Sequence, residues 1–458
     1  MQEKIRVAVV FGGRSTEHAV SCASASLVLS ALDPDRYEVV PIGITRDGRW
    51  VLTSGDPGRI APGGSGSSPG PGSGSSPDSG SRSGPGSSGE LLPSVEAVAE
   101  PGTSIVPLPG LPGAQSLHVV SPGSVPRSLG QVDVVLPLLH GAYGEDGTLQ
   151  GLLELTGTQY VGAGVLASAA AMDKEYMKLI MGAHGLPMGR YVVVRDRDWR
   201  TGSPERKRVL DEIAELGWPV FVKPARGGSS IGISRARSSA DLERAIDAAR
   251  EHDPKVLVEA AIDGMEVECA VLEGIDGRPP DASMPGQVLV DERSDFYDFE
   301  AKYLADADTM RIPAPIPDAA TTEIRRLACA AFDAISCEGL ARVDFFYTKS
   351  GKILVNEINT MPGMTAASGF PLMWAASGLP MPRLLDRIIA TAMTKRPGLR
   401  LAVLVPAQKL PELRHGLSSG TAGYVGRRQP GCDPPDTAVR LSVEPSCPTS
   451  SWQPTWCC

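Results

Sequence analysis

Two neighbouring C-terminal segments hold the residues whose types and spacing could do chemistry. In residues 340–348, strand alternation puts Arg342, Asp344 and Phe346 on one face and Ala341, Val343 and Phe345 on the other. In residues 352–359, Ile353, Val355, Glu357 and Asn359 share a face. A two-residue hairpin turn at Ser350-Gly351 sets Lys349 against Lys352, and stepping back along the ladder brings Asp344 opposite Glu357. Directly opposed residues have Cβ atoms about 5 Å apart. Two carboxylates at that distance repel unless a proton or a cation lies between them. With the carbonyl of Asn359 they form three hard oxygen ligands, suited to Mg²⁺ held jointly with phosphate oxygens. The plainer reading is a solvated face with unrelated charges, and a one-residue slip of register would remove the site.

Three loops add to this. The segment from Lys223 to Gly232 (KPARGGSSIG) offers a cation at a strand end and then a glycine-serine stretch. Its backbone N–H groups and hydroxyls could close over phosphates, although such a composition also serves as a mere turn. Neither a G-x-x-x-x-G-K-[ST] loop nor a G-x-G-x-x-G fingerprint after the first strand occurs. The loops 140–147 (HGAYGEDG) and 12–17 (GGRSTE) both lie where predicted parallel strands end, the edge at which open α/β sheets bind ligands. Glu17, in the first turn of a helix, would also serve simply to complement the helix dipole. His140 would equally serve as a structural loop histidine.

These residues need elements to position them. Residues 4–11 (KIRVAVVF) read as a buried strand running into Gly12-Gly13 and a helix from about Ser15. Residues 37–44 and 132–139 read as further strands, the latter leading through the His140 loop to a helix at Thr148. Strand, glycine loop, helix, repeated, predicts an α/β fold with a parallel sheet covered by helices. A second unit has a helix at 207–216, a strand at 219–225, a helix faced by Leu242, Ala245, Ile246 and Ala249, and strands at 256–262 and 266–272. The third, from about 285, has a helix whose Ile324, Leu327, Ala328, Ala331, Phe332 and Ile335 keep a helical period. The two strands above follow it, and a last helix stops near Lys395-Arg396, before Pro397-Gly398.

Composition limits the rest. Among 458 residues, 51 Gly and 40 Pro make up about a fifth, against roughly 12% in ordinary globular proteins. Residues 55–89 read as a disordered insert, whose 62–89 part contains 10 Gly, 5 Pro and 11 Ser. Residues 397–458, with 9 Pro and 4 Cys and no sustained period, read as a tail outside the fold or as a frameshifted or read-through end. A net charge of −9 disfavours a nucleic-acid or anionic-membrane surface. The first apolar run is too short for a signal peptide, and no 18-residue apolar stretch occurs. Eight Cys without a C-x-x-C pair fit a reduced compartment and argue against a zinc site or a disulfide scaffold. The expectation is a soluble cytoplasmic protein.

Seven ordered motifs together resemble the D-alanine–D-alanine ligases of the ATP-grasp superfamily: GGRSTEHAVS, LHGAYGEDGTLQG, VGAGVLASAAAMDK, FVKPARGGSSIG, YDFEAKY, ARVDFF and VNEINTMPGMT. The resemblance covers about 4–54 and 130–396. It implies an N-terminal α/β (preATP-grasp) domain at 1–165, a central ATP-grasp subdomain at 166–272 and a C-terminal subdomain with the metal site at 273–396. It further implies that Lys174 and Lys223 bind ATP phosphates, that Glu259 and Glu266 contact adenine and ribose, and that Ser229 and Ser230 lie over the phosphates. Asp344, Glu357 and Asn359 match the ligands of two Mg²⁺ (or Mn²⁺), and Arg342 matches the arginine that stabilises charge on the transferred phosphoryl and the tetrahedral intermediate. Glu17 is similar to the anchor of the first alanine's ammonium, and His140 lies near its carboxylate. Ser368 and Gly369 would hold the second alanine, while Glu17, Ser229 and Tyr303 resemble a hydrogen-bonded triad that closes the loop.

The implied activity is ATP-dependent joining of two D-alanines for peptidoglycan synthesis, through a D-alanyl phosphate, by a homodimer. Lys302 and Tyr303 of YDFEAKY favour an amine acceptor. The alternatives are a related ligase for D-lactate, D-serine or another acceptor, and a nucleotide-binding protein that has lost catalysis. Ala142, Gly227 and Gly369 depart from larger residues common in the family, and Gly369 would loosen the second-alanine site.

Overall fold

Alternation within the first strand explains the first layer. The structure, a computed structural model, describes residues 3–60, 94–99, 104–108, 115–120, 123–228, 231–289 and 310–395. In β1 (Ile5–Gly12), Val7, Val9 and Phe11 enter one core and Ala8 and Val10 another, so the strand is buried on both faces, as a central parallel strand must be. After α1 (His18–Ala31) come β2 (Tyr37–Ile44), β3 (Trp50–Leu52) and a single turn, α2 (Pro57–Ile60). Three strands, β4 (Ser104–Leu108), β5 (Gln115–Val120) and β6 (Arg127–Val132), form a small antiparallel sheet before β7 (Val134–Pro137). The first sheet runs β3-β2-β1-β7, with β1 parallel to both neighbours and β3 antiparallel at the edge.

Then follow α3 (Thr148–Leu155), α4 (Val165–Met172) and α5 (Lys174–Ala183). A second, antiparallel sheet, β10-β9-β11-β8, is built from β8 (Tyr191–Arg195), β9 (Val220–Pro224), β10 (Ser234–Ala236) and β11 (Lys255–Ala260). It packs on α6 (Pro204–Ala214) and α7 (Ser239–Arg250) through Val209, Ile213, Leu242, Ile246 and Ala249.

The third sheet carries the site. Its strands are β12 (Gly264–Leu272), β13 (Asp281–Ala282), β14 (Gly286–Val288), β15 (Met310–Arg311), β16 (Leu340–Thr348) and β17 (Ile353–Asn359). One face, with Val267, Cys269, Ala341, Val343 and Phe345, packs on α8 (Asp318–Ala334), which buries Ile324, Leu327, Ala328, Ala331 and Phe332. Each large side chain among these contributes on the order of 2 kcal/mol. The opposite face carries the polar residues of the cleft at one end and, at the other, Ala270, Leu272 and Leu340, which join the core of the first sheet. Finally α9 (Gly369–Ala376) and α10 (Met381–Thr394) return to the first sheet, where Leu384, Leu385, Ile388 and Ile389 share a core with Val7, Val9 and Phe11.

Strands 37–44 and 340–348 and the helix at Thr148 stand where the pattern places them. Three features differ. The first helix begins at His18, so Glu17 is its N-cap residue and not part of its first turn. The stretch before 130 holds β4 to β6, whose Pro107 and Gly130 interrupt any readable run. The hairpin before β17 has a three-residue loop, Lys349, Ser350 and Gly351, closed by Thr348 N–H donating to Lys352 O at 2.9 Å. The 62–89 part of the insert, Ser229, Ser230, Lys302, Tyr303 and the tail 397–458 lie outside the described residues.

Candidate active site

The loop before α5 starts one wall of a cleft of about 590 Å³. Asp173 caps α5 by accepting from the N–H groups of Glu175 and Tyr176. Lys255 of β11 fastens that cap, its Nζ lying 2.6 Å and 2.7 Å from the two Asp173 oxygens and 2.9 Å from Glu175 Oε2. The next residue, Lys174, therefore enters the cleft at a fixed angle. Its Nζ donates to Gly227 O at 2.8 Å and lies 3.6 Å from Glu357 Oε2. Lys223 of β9 points into the same space and pairs with Glu259 Oε2 at 2.6 Å. Burial opposes charge on Lys223, but Glu259 outweighs it and holds the ammonium above its usual range. Glu266 lines the same end.

The acidic floor is a row across three adjacent strands. Glu268 of β12 is the Cα partner of Asp344 of β16, and Asp344 is the partner of Glu357 of β17. Arg342, opposite Asn359, donates from Nε and Nη2 to the two Asp344 oxygens, each at 2.7 Å, and its Nε lies 3.3 Å from Glu268 Oε1. Asn359 Nδ2 donates to Asp344 Oδ2 at 3.0 Å.

The expected opposition of Asp344 and Glu357 is present, but the route to it differs. Near the turn Tyr347 faces Ile353, one rung off the expected register, and a bulge at Asn356 restores the offset at Asp344. Consequently Ile353 and Val355 lie with the core, whereas Glu357 and Asn359 face the cleft. The four residues do not share one face.

Oxygen donors of this kind suit a hard divalent cation. Among the described residues no group of three or more His, Cys, Asp or Glu is arranged to hold a metal by itself. A cation here would need phosphate oxygens as further ligands, together with a turn of the Asn359 amide to present its carbonyl.

At the opposite end Glu17 is buried between two glycine loops. A Cβ on Gly141 would stand 2.9 Å, and one on Gly228 2.8 Å, from Glu17 Oε2, so a side chain at either position would push the carboxylate aside. His140 shares its Nδ1 with Met361 O at 3.0 Å, which requires Nδ1 to carry the proton. Its Nε2 is buried without a hydrogen-bond partner among the described residues, and burial holds the ring's pKa below the usual histidine range, with Glu17 opposing. Glu145 accepts from Gly141 N–H at 2.9 Å. Burial first, then the charge of Glu17, pushes its carboxyl up to about 8.

Ser368 precedes α9, and its Oγ turns to Thr365, 3.0 Å from N and 2.7 Å from Oγ1. Gly369 abuts the cleft only through Glu268, since a Cβ there would lie 2.4 Å from Glu268 Oε2 and 2.6 Å from Met310 Cε. The small residue is a fit to its neighbours. The described members of the expected set that line the cleft are Glu17, His140, Lys174, Lys223, Glu259, Glu266, Arg342, Asp344, Glu357 and Asn359; Ser368 and Gly369 stand beside it.

Sequence reasoning passed over Glu145, Lys178, Lys255 and Glu268. Two of these carried a signal. Lys178 lies four residues after Lys174 on one helix face, and Glu268 two residues after Glu266 on one strand face. Lys255 and Glu145 are set by tertiary contacts.

Two family models match, "D-ala D-ala ligase N-terminus" over residues 6–163 and "D-ala D-ala ligase C-terminus" over 180–390. The chain is similar to the D-alanine–D-alanine ligase of Streptomyces coelicolor, with 51% identity over 396 residues, 86% of this chain and 95% of the relative. It is 52% identical to that of an Arthrobacter species over 401 residues, 87% of this chain and 96% of the relative. Among solved structures, the VanG D-Ala:D-Ser ligase of Enterococcus faecalis has a TM-score of 0.66 at 32% identity, covering 85% of this chain and all of that one. The D-alanine–D-alanine ligase of Coxiella burnetii has a TM-score of 0.65 at 33% identity, covering 85% of this chain and 94% of that one.

Proposed function

The chain belongs to the D-alanine–D-alanine ligase family, and from that premise we propose how its residues divide the work. It is an ATP-dependent ligase that joins two D-alanines into D-alanyl-D-alanine for peptidoglycan. The carboxylate of one D-alanine takes the γ-phosphoryl of ATP, and ADP leaves. The amine of the second attacks that acyl phosphate, and inorganic phosphate leaves.

Lys174 and Lys223, with Ser229 and Ser230, hold the phosphates; Glu259, Glu266 and Lys302 hold the rest of the nucleotide. Asp344, Glu357 and Asn359 would hold two Mg²⁺ or Mn²⁺, which when bound offset charge on the phosphate oxygens. Arg342 stabilises the charge that builds on the transferred phosphoryl and the tetrahedral intermediate. Glu17 anchors the first alanine's ammonium and His140 lies by its carboxylate, while Ser368 and Gly369 hold the second alanine. Glu17, Ser229 and Tyr303 tie down the loop that excludes water from the acyl phosphate. The working form is a cytoplasmic homodimer; among the described residues no helix is long and apolar enough to cross a membrane.

One observation carries this reading: Lys174, Lys223, Arg342 and the acidic row converge with Glu17 in a single cleft. Phosphoryl transfer asks mainly for such positioning and charge neutralisation. Purified protein with ATP, Mg²⁺ and D-alanine should release phosphate and dipeptide in equal amounts. Absence of phosphate release would sink the reading, and release only with D-lactate or D-serine as acceptor would move it to that substrate.

A further inference from the structure

Lys178 is among the most deeply buried cations of the described chain, 3% exposed, and it does not line the cleft. It lies one turn beyond Lys174 on α5, directly behind Glu259. Its Nζ is 3.2 Å from Glu259 Oε1, donates to Asn356 O at 3.3 Å and stands 5.6 Å from the centre of the Tyr191 ring. Tyr191 is itself the strand partner of Glu259. On the other side of the same carboxylate, Lys223 holds Oε2 at 2.6 Å. One buried carboxylate thus carries two lysines.

That excess needs a reason, because burying a second ammonium is costly and burial already draws the Lys178 pKa below its usual range. The reason lies in Lys223. Its proposed duty is to the ATP phosphates, yet in this structure it is engaged by Glu259. Binding the triphosphate must draw Lys223 away from Glu259 or share it. If Lys223 were the sole counter-ion, its departure would leave a buried carboxylate unpaired, and breaking a buried pair in that way is strongly unfavourable.

We propose that Lys178 is a positioning residue that keeps Glu259 paired when Lys223 turns to the phosphates, so that Lys223 is a transferable cation, on Glu259 in the empty site and on the triphosphate in the filled one. Its bond to the Asn356 carbonyl also braces the bulge that precedes Glu357, so one side chain serves both ends of the nucleotide site. The inference rests on the nucleotide reading of Glu259 and Lys223 given above.

The test compares ligands with and without phosphates on the full-length protein: ATP by calorimetry, and adenosine by displacement of ATP. Adenosine leaves Lys223 on Glu259, whereas ATP takes it away. In Lys178→Met, ATP affinity should fall about tenfold or more while adenosine affinity changes less than about threefold, and Lys178→Arg should recover most of the ATP loss. Equal losses for both ligands, or none, would overturn the proposal. A second cycle removes dependence on how well Lys178→Met folds. In a Glu259→Gln background no buried anion remains to be stranded, so adding Lys178→Met should leave the ATP-to-adenosine ratio unchanged; a further drop in that ratio would also overturn it. Wild-type protein that binds neither ligand would instead refute the nucleotide reading itself.

Discussion

Asp344 and Glu357 face each other across β16 and β17 because the second strand contains one extra residue, Asn356. Were Asn356 paired in the ladder instead of bulged, strand alternation would carry Glu357 to the core face beside Val355. Deleting Asn356 makes Glu357 the residue after Val355, so alternation still turns it to the cleft opposite Asp344, and turnover should stay within about tenfold of wild type while far-ultraviolet circular dichroism is unchanged. A deletion variant without turnover would show that the rung alone does not deliver the carboxylate and that the bulge itself is needed.

Glu357→Gln keeps the shape of the side chain and removes its charge. A carboxylate that helps hold the cations is expected to supply about 4 kcal/mol of transition-state stabilisation, on the order of a thousandfold in kcat. Steady-state kinetics over a range of Mg²⁺ should show a loss that added metal does not restore. Full rescue by metal would mean that the carboxylate is peripheral.

Gly369→Ala introduces a methyl group 2.4 Å from Glu268 Oε2. Glu268 and Met310 end in flexible atoms, so they should move, and Glu268 should lose its 3.3 Å contact with Arg342. Stability should fall by only about 1 kcal/mol, whereas kcat/KM for D-alanine should drop roughly tenfold with the KM for ATP unchanged. A parallel rise in the KM for ATP would place the damage elsewhere.

Glu145 gives a pH signature. Its folded-state value, about 8, lies above the ordinary carboxylate range because of burial and Glu17. Between about 4.3 and 8 the folded state holds a proton that the unfolded chain has released, so stability declines as pH rises through that window. Glu145→Gln retains an acceptor for Gly141 N–H and removes the penalty. The variant should melt higher than wild type at pH 8.5, by about 2 kcal/mol after screening by cleft water, and no higher at pH 4. Identical pH dependence of Tm in both proteins would count against the buried-acid assignment.

The fold was most legible where one residue type decides a local outcome. Buried runs such as 5–12 and 340–348 announce their strands, and the periodic face from Ile324 to Phe332 announces its helix. The acidic pair was legible for a less secure reason. A two-residue turn was expected, a three-residue loop with Gly351 at φ +79° is present, and the bulge cancels the error three rungs beyond Tyr347. Gly351 accepts that backbone geometry at little cost, which is why a short polar loop could hide an extra residue. Glu145 and Lys255 were not legible, since their partners, Gly141 apart, lie far away in sequence and no local pattern announces a cap fastened from another strand.

The packing of α10 against β1 bears on how the protein is made. The first strand is synthesised long before the helix that completes its core through Leu384, Leu385, Ile388 and Ile389. Synthesis must therefore run nearly to the end of the described chain before the N-terminal sheet can bury Val7, Val9 and Phe11. A nascent or truncated chain that stops before Met381 would carry nearly every residue of the active site and still lack a finished platform for them. Such chains are natural clients for chaperones and early targets for proteolysis.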